Sequence, residues 1–204
     1  MMKEKFLEIY LQNISRPGAD KLLAWLETTD FFEAPASTRF HLSRPGGLVE
    51  HSIHVYHRLH DLYVSERQRA EDQPFIELID GEEETIAICA LLHDICKANF
   101  YTVEMRNRKN EQGQWEKYPY YVVDDQLPYG HGEKSVYIIS GFMKLTREEA
   151  MAIRWHMGGF DDAARGGNFS ISVAYDKYPI AVKLHLADLE ATYLREKETS
   201  AVNH

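Results

Sequence analysis

Apolar positions recur at helical spacing through most of the chain. The spacing predicts a helix that begins near Pro17 and further helices at about 2–14, 48–69, 82–97, 132–143, 147–156 and 179–198. Thr146 and Glu149 form the sequence pattern of a capping box at the start of the helix at 147–156. Stretches rich in Pro, Gly or charged residues predict loops or linkers at 33–47, 66–83, 124–130 and 157–177.

One part of the chain has a strand pattern instead. Residues 101–105 and 115–123 are rich in aromatic and β-branched residues, and residues 110–113 between them have turn composition. This arrangement predicts a β-hairpin. The predicted fold is therefore mainly α, a helical bundle with a small β-hairpin insertion at about 101–123.

Composition places the chain among ordinary globular proteins. Its 204 residues are 44% hydrophobic and 27% charged, enough for one domain over 1–204 with residues 1–30 as a helical scaffold. No apolar run approaches the roughly 20 residues of a membrane span, and the N-terminus lacks a signal-peptide core. Cys89 and Cys96 lie about 10 Å apart on one predicted helix, too far for a disulfide. We expect a cytoplasmic, reduced protein that does not bind membranes.

The formal net charge is −9. A face that binds duplex nucleic acid is basic, so we expect no duplex partner. A small phosphorylated partner stays open, because a metal ion supplies positive charge locally.

The helix at 48–69 carries four histidines at intervals of three residues. At about 100° per residue, His51 lies about 60° from Leu48, on the edge of the apolar stripe. His57 lies opposite the stripe, with His54 and His60 on its flanks. The spacing predicts that His51 points inward and that the other three face solvent.

His93 and Asp94 follow the apolar run 86–92. Burying a carboxylate without a partner costs several kcal/mol or more, and a divalent cation removes that cost because imidazole and carboxylate are both ligands. Candidate ligands in the rest of the chain lie at helix ends or on apolar helix faces. The full candidate set is His51, His93, Asp94, His131, His156 and Asp188. Taken singly, each is more often a hydrogen-bonded core residue or a member of an ion pair.

The order of these residues resembles the H…HD…D signature of the HD-domain metal-dependent phosphohydrolases. Residues 45–52 (PGGLVEHS) resemble the GGLxEH opening of several branches. Residues 91–97 (LLHDICK) resemble LLHDIGK, with Cys96 where the family usually has Gly. The resemblance covers about 45–192 and implies an HD-type bundle. His131 and His156 match branches that bind two metals, and the segments GHGEKS and HMGG are similar to certain bacterial 3′–5′ exoribonucleases.

The resemblance implies roles for these residues. His51, His93, Asp94 and Asp188 would hold one metal, and Asp94 would bridge to a second metal at His131 and His156. Lys97 would act beside Asp94 in catalysis or in binding phosphate, although a lysine that stabilises the helix C-terminus is an equal alternative. Weaker candidates for phosphate contact are Arg44, Lys134 and Arg154. His185 is expected to be structural.

We therefore expect a metal-dependent phosphohydrolase that cleaves a nucleotide or dinucleotide. The cofactor would be one or two divalent ions (Mn, Fe, Co, Ni or Zn), and homo-oligomers are possible. The hairpin would border the active-site mouth or form a dimer contact. Two alternatives stay open: a 3′–5′ exonuclease on single-stranded ends, and a non-catalytic metal-stabilised module that binds nucleotides.

Overall fold

The structure, a computed structural model, describes residues 1–72 and 82–196. Its α-helices in the described part are α1 (Met2–Asn13), α2 (Ala19–Leu26), α3 (Gly47–Asp72), α4 (Glu82–Leu92), α5 (His131–Ser140), α6 (Arg147–Trp155), α7 (Asp162–Arg165), α8 (Ser170–Lys177) and α9 (Pro179–Glu190). The sequence prediction of a mainly helical chain is confirmed. None of the described helices is long and apolar enough to cross a membrane.

Two antiparallel strands, β1 (Tyr101–Lys109) and β2 (Trp115–Val123), confirm the predicted hairpin. Their register pairs Tyr101 with Val123 at the base and Lys109 with Trp115 at the tip. Most β1 side chains are exposed, so the hairpin projects from the helices. Its base is held near the helical core, because the Tyr101 hydroxyl lies 3.4 Å from the carbonyl oxygen of Ala36.

The predicted helix at 82–97 is wrong at its C-terminal end. The α-helix stops at Leu92, and a separate 3₁₀ turn covers Ile95–Lys97. At the break, Nδ1 of His93 lies 2.8 Å from the carbonyl oxygen of Ala90 and takes up one of the carbonyl groups at the helix end. His93 and Asp94 therefore leave the helix as a turn.

Residues 157–177 form two helices, α7 and α8, and a 3₁₀ turn at Gly158–Phe160, so the predicted loop is wrong there. The missed signal was Asp161, whose side chain accepts hydrogen bonds from the backbone N–H groups of Ala163 and Ala164 and caps α7. Two other predicted bounds shift: α5 ends at Ser140, and α9 continues after Glu190 as a π-helix, Ala191–Arg195. In the predicted linker at 66–83, α3 extends to Asp72, and residues 73–81 lie outside the described part.

Residues from both the beginning and the end of the described chain contribute to the buried core. It includes Phe6 and Leu22 from the first two helices, all of α4 from Ile86 to Leu92, and Ala191 after α9. Both cysteines are buried and free. The turn that follows α4 is also buried, with His93, Asp94, Ile95 and Cys96 each at most 2% exposed.

A buried ion pair ties α6 to the N-terminal segment. The guanidinium of Arg16 donates to both carboxylate oxygens of Glu149, at 2.7 and 2.9 Å, and to Glu84 at 3.1 Å. Glu149 also closes the predicted capping box with Thr146, which is confirmed. Its side chain is completely buried.

Glu149→Ala should lower the free energy of unfolding by about 3–5 kcal/mol, because it leaves the Arg16 charge without its buried partner. Urea unfolding followed by circular dichroism measures this change. The matched control is Glu148→Ala, an exposed neighbour on the same helix, which should change stability by less than about 0.5 kcal/mol. Equal losses in the two variants would contradict the importance of the ion pair.

Candidate metal centre

The side chains of six predicted residues converge in the interior, where α3, α4, α5, α6 and α9 meet. Three overlapping groups each place one donor atom per member within 4.8 Å of the others: His51 with His93 and Asp188, Asp94 with His93 and His156, and Asp94 with Cys96 and His131. Three of the four imidazoles are almost completely buried. The structure thus brings together the whole set named from the sequence.

His51 lies on the first turns of α3 and faces inward, as its angle to Leu48 predicted. Its Nε2 atom lies 3.2 Å from Oδ1 of Asp188, which α9 contributes from the opposite side. The same Nε2 atom lies 3.3 Å from Nε2 of His93. Two ring nitrogens and a carboxylate oxygen therefore point at one small volume.

The turn after α4 fixes the orientation of His93. A carbonyl oxygen can only accept, so the bond from His93 Nδ1 to Ala90 places the proton on Nδ1 and leaves Nε2 with a lone pair. That Nε2 atom lies 3.5 Å from Oδ2 of Asp94. The imidazole is oriented as a ligand by its own backbone.

The second half of the cluster depends on the close approach of two helices. His131 begins α5, and His156 directly follows the end of α6. A Cβ atom at Gly132 would lie 2.2 Å from the carbonyl oxygen of Arg154, so only glycine permits this approach. Asp94 Oδ1 lies 2.7 Å from Nε2 of His131 and 3.5 Å from Nε2 of His156.

His156 provides a direct test of whether the residues fit a cation. Its Nδ1 atom donates to the carbonyl oxygen of Ile153 at 2.7 Å, which leaves the Nε2 lone pair free. Nε2 is buried and has no hydrogen-bond partner, although buried polar atoms usually have one. A divalent ion beside Asp94 would satisfy this atom, so the donor set fits a metal.

Lys97 turns back toward Asp94 through the 3₁₀ turn. Its Nζ atom lies 2.6 Å from Oδ2 of Asp94 and 2.8 Å from the carbonyl oxygen of Ala36. Although burial opposes charge on both groups, their mutual attraction raises the pKa of Lys97 above its usual range. The ammonium group and the imidazoles around Asp94 hold the pKa of that carboxyl well below its usual range.

The histidines differ in charge. Burial lowers the pKa of His93 to about 3, so this imidazole is neutral. Burial also disfavours charge on His51, but the carboxylates of Glu196 and Asp188 outweigh it and raise its pKa to about 10. His51 therefore carries a proton that is stabilised by the two carboxylates. A divalent cation bound at Nε2 would replace that proton.

Sequence reasoning missed a buried carboxylate behind His51. Glu196 follows the π-helix after α9, and its side chain is fully buried, 3.0 Å from Nδ1 of His51 and 2.8 Å from Nδ1 of His54. His41 lies 3.8 Å from the same carboxylate. The prediction that His54 faces solvent is therefore wrong; His57 and His60 are partly exposed. No local pattern marks Glu196, because it lies 145 residues from His51.

The three weaker candidates for phosphate contact are each paired with a carboxylate. Arg44 pairs with Glu50 and lines a cavity of about 410 Å³ between its loop and the hairpin. Lys134 pairs with Asp125 and is buried. Arg154 lies 2.8 Å from Asp161, also pairs with Glu133, and lines a second cavity of about 250 Å³ that reaches His131.

His185 packs behind the cluster. Its Nδ1 atom lies 2.6 Å from the carbonyl oxygen of His156. Gly158 has a φ of +57°, and a Cβ atom there would lie 2.3 Å from the His185 ring. The glycine and the ring together fix the turn after His156, which agrees with the structural role predicted for His185.

Comparison with known proteins gives a single result. The family model of the HD domain matches residues 48–193, well over half of the chain. No curated protein and no solved structure matched. The matched span contains all six converging residues but not Glu196 or His41. The chain belongs to the HD domain family, a superfamily of metal-dependent phosphohydrolases.

Proposed function

We propose that this protein hydrolyses a phosphate ester or anhydride of a nucleotide or dinucleotide with the help of two divalent metal ions. The observation that carries the proposal is Asp94, whose two oxygens face different groups of imidazoles. Oδ2 faces His51 and His93 at 3.8 and 3.5 Å. Oδ1 faces His131 and His156.

In this proposal the ligands divide around Asp94. His51, His93 and Asp188 hold the first ion with Asp94, and His131 and His156 hold the second. Such ions lower the pKa of water and neutralise phosphoryl oxygens. Which of Mn, Fe, Co, Ni and Zn binds depends on the donor atoms and on which metals are available.

Lys97 has the catalytic role beside this centre. Its ammonium group orients Asp94 through the 2.6 Å contact and adds positive charge on the side of Ala36. A phosphoryl group entering from that side would gain a charge-assisted hydrogen bond as negative charge develops. The side chain is largely buried, so the charge acts with little screening.

The cavity beside the hairpin supports a nucleotide as substrate. Tyr121 and Val103 face one another across the two strands, and both line the cavity with Arg44. The Lys97 ammonium, which contacts Asp94, and the Tyr101 hydroxyl both lie near the carbonyl oxygen of Ala36. Ala36 lies two residues before Thr38, which lines the cavity. An aromatic base would stack on Tyr121, and Arg44 would contact the sugar or a phosphate.

A second candidate function is 3′–5′ cleavage of single-stranded ends. The hairpin favours it, since the guanidinium carbons of Arg106 and Arg108 lie 3.7 and 4.9 Å from the ring centroids of Tyr120 and Tyr118. Stacking surfaces of this kind bind single strands. Cleavage of oligonucleotides that weakens with added salt and is lost in Arg106→Ala would favour this activity over nucleotide hydrolysis.

Asp94→Ala should remove metal and activity together, because this carboxylate is shared between both groups of imidazoles. Protein purified without chelator should contain one or two equivalents of divalent metal, and the variant should lose at least about 90% of it. Elemental analysis and a nucleotide phosphatase assay measure both. Asp176→Ala, at an exposed aspartate on α8, is the control. Metal-free wild-type protein, or an active Asp94→Ala variant, would refute the proposal.

Glu196→Gln should weaken metal binding about 10- to 100-fold, because the carboxylate orients His51 and makes its Nε2 a better ligand. Competition with a chelating dye measures the affinity, and thermal unfolding of the metal-free proteins measures any general destabilisation. Glu190→Gln provides the control, since Glu190 lies 3.9 Å from Arg58 and away from the centre. An unchanged metal affinity in Glu196→Gln would show that the carboxylate only contributes to packing.

Tyr121→Ala should raise KM for nucleotides about tenfold, because base stacking contributes about 1–3 kcal/mol. It should leave KM unchanged for a base-free ester such as glycerol phosphate. Steady-state kinetics with both substrates measure the difference. Trp115→Ala, an exposed aromatic at the hairpin tip outside the cavity, is the matched control. Equal effects on both substrates would argue against a base at this cavity.

A further inference from the structure

Cys96 has no role in the centre proposed above, yet its sulfur lies inside it. The residue belongs to the 3₁₀ turn after Asp94 and is only 2% exposed. Its Sγ atom lies 3.4 Å from Nδ1 and 3.7 Å from Nε2 of His131. Asp94, Cys96 and His131 each place one donor atom within 4.8 Å of the others.

We infer that Cys96 supplies a sulfur ligand to the second metal position, which therefore selects ions that accept thiolate. The inference rests on the proposed two-metal function and adds a ligand to it. The resemblance to related sequences does not supply this ligand, because the family usually has Gly at this position.

The distances are those of a compact ligand set. In a tetrahedral site with metal–sulfur and metal–nitrogen bonds of about 2.3 and 2.0 Å, the two donors lie about 3.5 Å apart. The separation of Sγ and Nε2 in His131 is 3.7 Å. Asp94 Oδ1 lies 2.7 Å from the same ring nitrogen.

A second, independent observation points to a ligand at this position. Nε2 of His156 is buried, lacks a hydrogen-bond partner and lies 3.5 Å from Oδ1 of Asp94. With Cys96 the position has two nitrogen donors, one oxygen and one sulfur. The first position, at His51, His93 and Asp188, has no sulfur among the described side chains.

The added sulfur changes which ions the position prefers. Thiolate is a soft ligand that suits Zn²⁺, and Co²⁺ is commonly accepted by the same sites, whereas Mn²⁺ and Mg²⁺ prefer oxygen donors. The second position should therefore discriminate more strongly against Mn²⁺ than the first. Binding requires loss of the thiol proton, which passes to solvent as the metal–sulfur bond forms.

Titration of the metal-free protein with Co²⁺ tests the inference without an activity assay. Wild-type protein should show visible d–d bands and a near-ultraviolet sulfur-to-cobalt charge-transfer band. Cys96→Ser should lose the charge-transfer band and bind the second Co²⁺ more than about 100-fold more weakly, beyond the effect typical of an outer-shell residue. Cys89→Ala is the matched control, because the chain has two cysteines and Cys89 is buried in α4.

Each outcome is decisive. Visible bands without a charge-transfer band in the wild-type protein would overturn the sulfur ligand but leave the two-metal proposal intact. Cys96 would then only accept a hydrogen bond from Nδ1 of His131. No cobalt bands at all would contradict both proposals. If Cys96→Ser does not fold, the wild-type and Cys89→Ala spectra still decide, since any sulfur band retained by Cys89→Ala comes from Cys96.

Discussion

The buried carboxylate of Asp94 is the constraint on which the rest of the site depends. It is 2% exposed and follows a helix in which residues 86–92 are all buried. Ionised and alone, it would destabilise the fold by several kcal/mol or more. The surrounding groups offset that cost: the ammonium of Lys97 and imidazoles from three other helices or their ends. Side chains from distant segments of the chain therefore stabilise this one carboxylate.

The backbone sets the direction in which these imidazoles point. His93 and His156 each follow the end of a helix, and each uses Nδ1 to bind a carbonyl group three residues earlier, at 2.8 and 2.7 Å. Helix ends leave such carbonyl groups without partners, so one bond both completes the helix and fixes the ring. His51 lies within a helix and has no free carbonyl. Its Nδ1 partner is a carboxylate, Glu196, brought from the end of the chain's described part.

The parts of this structure that follow from local spacing were predictable. Helical periodicity selected His51, and turn composition located the hairpin at 101–123. Local patterns could not place Glu196, because its partner lies 145 residues away and its neighbours have no distinctive spacing. Because the contact between Glu196 and His54 was not predicted, His54 was expected to face solvent. The break after Leu92 was missed because apolar residues continue to Ile95, and the helical spacing gives no sign of the bond from His93 to the Ala90 carbonyl at the break.

The position of Cys96 follows from the turn that the His93 bond begins. In a 3₁₀ turn, side chains three residues apart lie on the same side, and the two residues between them point elsewhere. Lys97 is three residues after Asp94 and returns to its Oδ2 atom at 2.6 Å. Cys96, one residue earlier, faces α5 and reaches His131. A side chain at this position therefore meets the Oδ1 side of Asp94, where glycine would place nothing. In the proposed two-metal arrangement, a single substitution here would therefore alter one metal position and leave the other unchanged.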